Sequence, residues 1–221
     1  MTIMIGTGVV GRAVRKRTVT RAFNGEGALL SLRSAGFGPG REVMGFNKGQ
    51  FSAIDLLDAI LTYTGRAKVV IATWTAAHAD VKRAEQFLRT GRAADMAWLV
   101  DRSFQTRQPD YCALLRSTFG DDAIRVSSSH AKFMLISEGG WRVVVQTSMN
   151  LNHNARLESF WIADDPELFA AYAEIVEECF GMQRAGEGFE ESSRGRRDLE
   201  KLGASGASSF YNVRPGGDLL L

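Results

Sequence analysis

Two apolar runs, residues 132–136 and 141–145, stand either side of Ser137-Glu138-Gly139-Gly140, and no other stretch constrains the fold as tightly. Each run is too short for a helix, and a Gly-containing loop between them reverses the chain, so the stretch reads as a β-hairpin. Side chains two apart on a strand share a face. His130 and Lys132 therefore point the same way at the entry to the first strand. By the same parity Gln146, Ser148 and Asn150 share a face at the exit from the second.

Upstream, the chain alternates between the two periods of regular structure. Residues 42–46 read as a short strand. Ile54, Leu57, Ala59, Ile60, Leu61 and Tyr63 recur at helical spacing, and Gly65 stops that helix. Residues 68–74, KVVIATW, are β-branched and apolar throughout, as in a strand buried on both faces. A helix over 80–90 follows, then a buried strand over 96–100. Another helix runs over 109–119, with proline at its start and Gly120 after it. Residues 124–126 lead into the hairpin, and a strand over 159–163 and a helix over 166–180 close the pattern. This alternation predicts an α/β fold, a mixed β-sheet flanked by helices on both faces.

The pattern divides the chain into a basic, Gly-rich segment 1–40, a body 41–181 and a tail 182–221 rich in Gly, Ser, Arg and Glu. The tail reads as a linker or poorly ordered segment. Gly6-Thr7-Gly8-Val9-Val10-Gly11 matches GxGxxG, but only five residues precede it where a dinucleotide-binding unit needs a full strand. Arg12, Arg15, Lys16 and Arg17 read as a solvated basic arm, with contact to nucleic-acid phosphates as the functional alternative.

Charged residues make up 24% and apolar residues 45% of the chain, proportions that suit a water-soluble globular body. No run of about 18 apolar residues could span a bilayer, and the N-terminal charges follow the apolar residues, the reverse of a secretory signal. A cytoplasmic location is the expectation. Cys112 and Cys179 are too few for a disulfide scaffold or a zinc site.

The hairpin margins hold an inventory suited to phosphate. His130 can be a nucleophile, since neutral imidazole is available near pH 7. Lys132 supplies a fixed positive charge, and Ser148 and Asn150 can donate to non-bridging oxygens. Glu158 can accept from the second nitrogen of His130, fixing its tautomer. No His and carboxylate cluster shows two-metal spacing, so neither a metal nor another cofactor is expected.

His130-Ala131-Lys132, then Thr147-Ser148-Met149-Asn150, then Asn154 and Glu158, resembles the HKD motif of the phospholipase D superfamily. That pattern is HxK, four residues, Asp, a Gly-Ser-x-Asn segment and a downstream Glu. Ser137 stands at the Asp position and Thr147 at the Gly position. The resemblance implies a phospholipase D-like sandwich and a metal-independent phosphodiesterase with His130, Lys132, Asn150 and Glu158 as catalytic residues. Lys132, Ser148 and Asn150 would bind phosphate. Ser137 cannot carry the charge of the aspartate it replaces.

The family's chemistry uses two histidines, one to attack phosphorus and one to protonate the leaving group. One HxK occurs here; His78 and His153 begin no second motif. A composite site in a homodimer is the economical solution. Single-motif members of the family are mostly small nucleases, which makes DNA or RNA the expected substrate. A catalytically weak nucleic-acid-binding or assembly module is the alternative that Ser137 and the C-terminal tail suggest, and a phospholipid headgroup hydrolase is a third. Trp74, Trp98, Trp141 and Trp161 could stack on bases, but their strand positions assign all four to core packing.

Overall fold

Seven strands account for the apolar runs. A computed structural model describes residues 27–152 and 155–189. Its strands are β1 (Glu42–Asn47), β2 (Ala67–Thr73), β3 (Ala93–Asp101), β4 (Ile124–Ser127), β5 (Phe133–Glu138), β6 (Trp141–Thr147) and β7 (Glu158–Asp164). They form one sheet in the order β1-β7-β6-β5-β2-β3-β4. β2, β3 and β4 are mutually parallel, and every other neighbouring pair is antiparallel. The mixed α/β sheet that the alternation predicts is therefore present.

The helices are α1 (Ala28–Ser34), α2 (Ala53–Thr64), α3 (His78–Arg89), α4 (Phe104–Arg107), α5 (Pro109–Phe119) and α6 (Pro166–Met182). Local chemistry sets their limits. Ser52 and Asp55 form a reciprocal capping box at the start of α2, and Gly65, at φ 77°, ends it. Pro109 opens α5, and the Asp165 carboxylate accepts from the Glu167 and Leu168 amides to open α6.

Helices lie on both faces of the sheet. On one face Val69, Ile71, Met96, Ile136, Val143 and Ile162 pack with Leu32, Leu57, Ile60, Val81 and Leu115 of α1, α2, α3 and α5. On the other, Val70, Ala97, Leu135 and Val144 meet Phe169, Ala173 and Val176 of α6. β2 and β3 are covered on both sides, which is why residues 68–74 show no polar alternation. At about 25 cal/mol per Å² of apolar surface removed from water, this two-sided burial is the main stabilising term.

Packed structure reaches beyond the span 41–181 at both ends. Leu32 is fully buried and Phe37 nearly so, with Phe37 stacked on Trp141 at 5.8 Å between ring centroids. Past α6, Phe189 is buried and its carbonyl accepts from Gln105 Nε2 at 2.9 Å. The body thus takes in residues assigned by composition to the flanking segments, because a few apolar side chains among Gly and Arg suffice to dock them. The GxGxxG match and Arg12, Arg15, Lys16 and Arg17 lie outside the described residues. Among the described residues no helix is long and apolar enough to cross a membrane.

Candidate active site

The antiparallel placement of β5 decides where the polar residues gather. Ala72 at the end of β2 pairs with Phe133 at the start of β5, and Phe133 pairs with Gln146 near the end of β6. Thr147 then pairs with Phe160, and Glu158, the first residue of β7, pairs with Asn47, the last of β1. His130 and Lys132 precede β5, and Ser148 and Asn150 follow β6. All of them, with Glu158, therefore lie along one edge of the sheet, beyond the carboxyl ends of β2 and β3, where open α/β sheets form their crevices.

Contacts join most of the set. Lys132 Nζ lies 3.3 Å from His130 Nδ1 and donates to the His130 carbonyl at 3.0 Å. Partial burial pushes the Lys132 ammonium below the usual lysine range, and the negative charge of Glu158 opposes that shift. Glu158 accepts a hydrogen bond from the Ser148 hydroxyl. The same hydroxyl oxygen accepts from the Ser159 amide at 2.9 Å, while the Ser148 amide donates to the Ser159 carbonyl at 3.0 Å. Since a hydroxyl has one proton to give, Ser148 directs it to the Glu158 carboxylate, so its first effect is to hold that carboxylate in place.

The strand parity that groups Gln146, Ser148 and Asn150 stops at Thr147, where β6 ends. Gln146 bonds the Tyr172 hydroxyl on α6, Ser148 turns to Glu158, and the Asn150 Oδ1 is buried with no hydrogen-bond partner among the described residues. An unpaired buried acceptor costs roughly 1–3 kcal/mol. The loop is fixed from the other side by Leu151, whose carbonyl accepts from the Ala77 amide at 2.6 Å and whose amide donates to the Thr75 carbonyl at 3.2 Å.

His130 sits on an exposed loop that is nonetheless tied down. The Ser129 amide donates to Asp101 Oδ2 at 3.2 Å, and the Ala131 amide donates to Ser129 Oγ at 3.0 Å. The imidazole lies over Trp74, with ring centroids 5.1 Å apart. Trp74 is thus the residue that the strand pattern conceals. β2 ends at Thr73, so the last residue of the apolar run passes beyond the sheet into the site. Its position at the carboxyl end of a parallel strand was the available signal. Of the other tryptophans Trp98 is fully buried, Trp141 packs partly exposed against Phe37, and the Trp161 indole donates to Glu42. Core packing therefore describes Trp98 well and Trp74 not at all.

Ser137 is elsewhere. It is the fifth residue after Lys132, about 16 Å along the strand at the usual rise. There it is buried, opposite Lys68 on β2 and Arg142 on β6. His78 opens α3, whereas His153 and Asn154 lie outside the described residues. Among the described residues no three His, Cys, Asp or Glu side chains gather as a cation site. Cys112 and Cys179 are buried free thiols, and burial pushes Cys112 up to about 11.

No protein-family model matches the chain, and no curated protein matches it. Several solved structures are similar. The phospholipase D family member Nuc from Salmonella typhimurium is 15% identical, with a TM-score of 0.49 over 65% of this chain and 96% of its own. NucT from Helicobacter pylori is also 15% identical, at 0.45 over 63% and 96%. Polyphosphate kinase from Porphyromonas gingivalis is 11% identical, at 0.48 over 74% of this chain and 32% of its own. With such identities and scores, the functional argument stands on the groups gathered at the sheet edge.

Proposed function

We propose that the protein is a metal-independent phosphodiesterase of the phospholipase D type, a nuclease that cleaves DNA or RNA through a phosphohistidine at a composite homodimer site. The observation that carries this reading is the convergence of His130, Lys132, Ser148 and Glu158 from the ends of β5, β6 and β7 at one sheet edge, linked by hydrogen bonds and charge. The HKD-like spacing of the same residues supports it.

In the substrate-free arrangement Lys132 faces Nδ1 of His130. An arriving phosphodiester draws the ammonium to its non-bridging oxygens, so that Nδ1 can carry the ring proton and Nε2 presents its lone pair. A bond forms from Nε2 to phosphorus as the bond to the leaving oxygen breaks, and that oxygen takes its proton from the same histidine of a second copy. Water then hydrolyses the phosphohistidine, giving up its proton to the second histidine. Glu158, held by Ser148, stabilises the positive charge that develops on His130. Asn150 completes the contacts to phosphate.

The reading of the chain as a binding module with little turnover rests on Ser137 and on the tail, and Ser137 lies at the far end of β5 from these groups. Cleavage of DNA and RNA in EDTA, compared between wild type and His130→Ala, tests the proposal. The wild type should cleave and form an acid-labile, alkali-stable phosphate adduct on His130. The variant should lose at least about 10³-fold in rate, as nucleophile removal does elsewhere. Equal cleavage by the two proteins would overturn it.

A further inference from the structure

Arg107 is held by an aromatic ring rather than by an ion pair. Arg83, Arg92 and Arg116 each form ion pairs with an aspartate, Asp55 and Asp58, Asp58, and Asp121 respectively. Arg107 pairs with no carboxylate among the described residues. Its guanidinium lies over the Trp74 ring, 3.5 Å from the ring centroid, and Trp74 in turn lies against His130. One indole thus touches both an exposed guanidinium and the imidazole proposed to attack phosphorus.

The side chain is fixed before any ligand arrives. Nη2 donates to the Trp74 carbonyl at 2.8 Å and Nε donates to Ser103 Oγ at 2.9 Å. Ser103 is itself bound by Asp101, which also holds the Ser129 amide of the His130 loop. The Thr75 hydroxyl bonds Gln108, the residue after Arg107, and ties the other side of this platform to the end of β2. A guanidinium has five N–H donors. Two are engaged, and the Nη1 edge makes no hydrogen bond to any described residue. A cation stacked flat on an aromatic ring, with a free donor edge and an orientation already set, suits a phosphate oxygen pair. Lys132 serves the group beside His130, which leaves the guanidinium on the shared indole for a neighbouring group along the strand.

We infer that Arg107, stacked on Trp74, binds the phosphodiester adjacent to the scissile one, so that the site selects a polyanionic nucleic-acid strand over an isolated diester. This rests on the reading of His130 as nucleophile. The test compares Arg107→Ala and Arg107→Lys with the full-length wild type on a single-stranded oligonucleotide and on bis(p-nitrophenyl) phosphate. The alanine variant should lose about tenfold more kcat/KM on the oligonucleotide than on the small diester, the effect of about one charged hydrogen bond. Oligonucleotide binding is also measured in the His130→Ala protein, where no turnover occurs. There, removal of Arg107 should reduce the slope of log affinity against log salt by about 0.7, the value for one single-strand phosphate. Arg107→Lys should keep that slope while losing part of the affinity. Equal losses on both substrates with an unchanged slope would overturn the inference and leave Arg107 as a clamp on the Trp74 loop. If the wild type cleaves neither substrate, the nuclease reading falls, and the salt slope still decides the role of Arg107.

Discussion

At its entry β5 receives Lys132, whose ammonium reaches His130 and feels the charge of Glu158; near its exit, just before the hairpin turn, Ser137 stands opposite Lys68 and Arg142. One strand, six residues long, therefore has a chemical end and a structural end. At the entry, side chains from separate loops meet, and their polar groups include the Asn150 Oδ1, which has no partner among the described residues. At the exit the hairpin closes on itself through backbone pairing, with Gly139 at φ 49° supplying the reversal. A change at the entry alters charges next to the reacting group, whereas one at the exit alters a cross-strand neighbourhood about 16 Å away.

The largest difference between the ends should come from Lys132. Lys132→Met removes the cation nearest His130 and should lower kcat/KM by about 10²–10³-fold, the loss seen when one preorganised phosphate or oxyanion donor is removed. Burial lowers the pKa of Lys132, so its charge is lost at a lower pH than that of an ordinary lysine. Activity that needs the ammonium is present below the shifted value and falls as pH rises through it. Lys132→Arg should move that alkaline limb upward in a pH profile of kcat/KM, and an unmoved limb would assign it to another group.

An intermediate effect is expected at Asp101, which touches no substrate but joins two loops of the site. Its Oδ1 accepts from the Ser103 amide at 2.9 Å and its Oδ2 from the Ser129 amide at 3.2 Å. Asp101→Ala should lower kcat about tenfold with little change in KM, and lower stability by about 1–2 kcal/mol through lost hydrogen bonds. Asp101→Asn, which keeps one acceptor, should recover part of kcat. Parallel denaturation and steady-state kinetics separate the two effects.

The chain itself discloses the two ends unequally. The hairpin, the double-faced run before Trp74 and the capped helices α2 and α5 are legible because periodicity and caps act over a few neighbouring residues. The nearness of His130 and Lys132 is legible for the same reason. The role of Trp74 is not, since it depends on β2 ending one residue early and on the loops from β3 and β4 closing over it. Nor is the partner of Ser148, because the chain turns after Thr147 and abandons strand parity. α1 is hidden by length: seven residues in a Gly- and Arg-rich context carry too little periodicity, and its packing rests on two buried residues, Ala28 and Leu32. Sheet order places Trp74, His130, Lys132 and Ser148 along one edge, and it follows from tertiary packing rather than from any local pattern.

The smallest effect should come from Ser137→Asp, although this position is the plainest departure from the HKD pattern. The new carboxylate would stand between Lys68 and Arg142, its directly opposite neighbours on the two adjoining strands. Opposite charges in such cross-strand pairs contribute roughly 0.2–1 kcal/mol each. Against that stands the desolvation of a carboxylate at a position only 8% exposed. The two terms oppose each other, so stability should change by no more than about 1 kcal/mol, or about 2–4 °C in Tm for a chain of this size. Catalysis should stay within about threefold, because at that distance and in aqueous salt one added charge is largely screened from His130. A gain of tenfold or more in kcat/KM, with Tm unchanged, would show that the turn end of β5 governs the chemical end. The separation of roles along the strand would then fail.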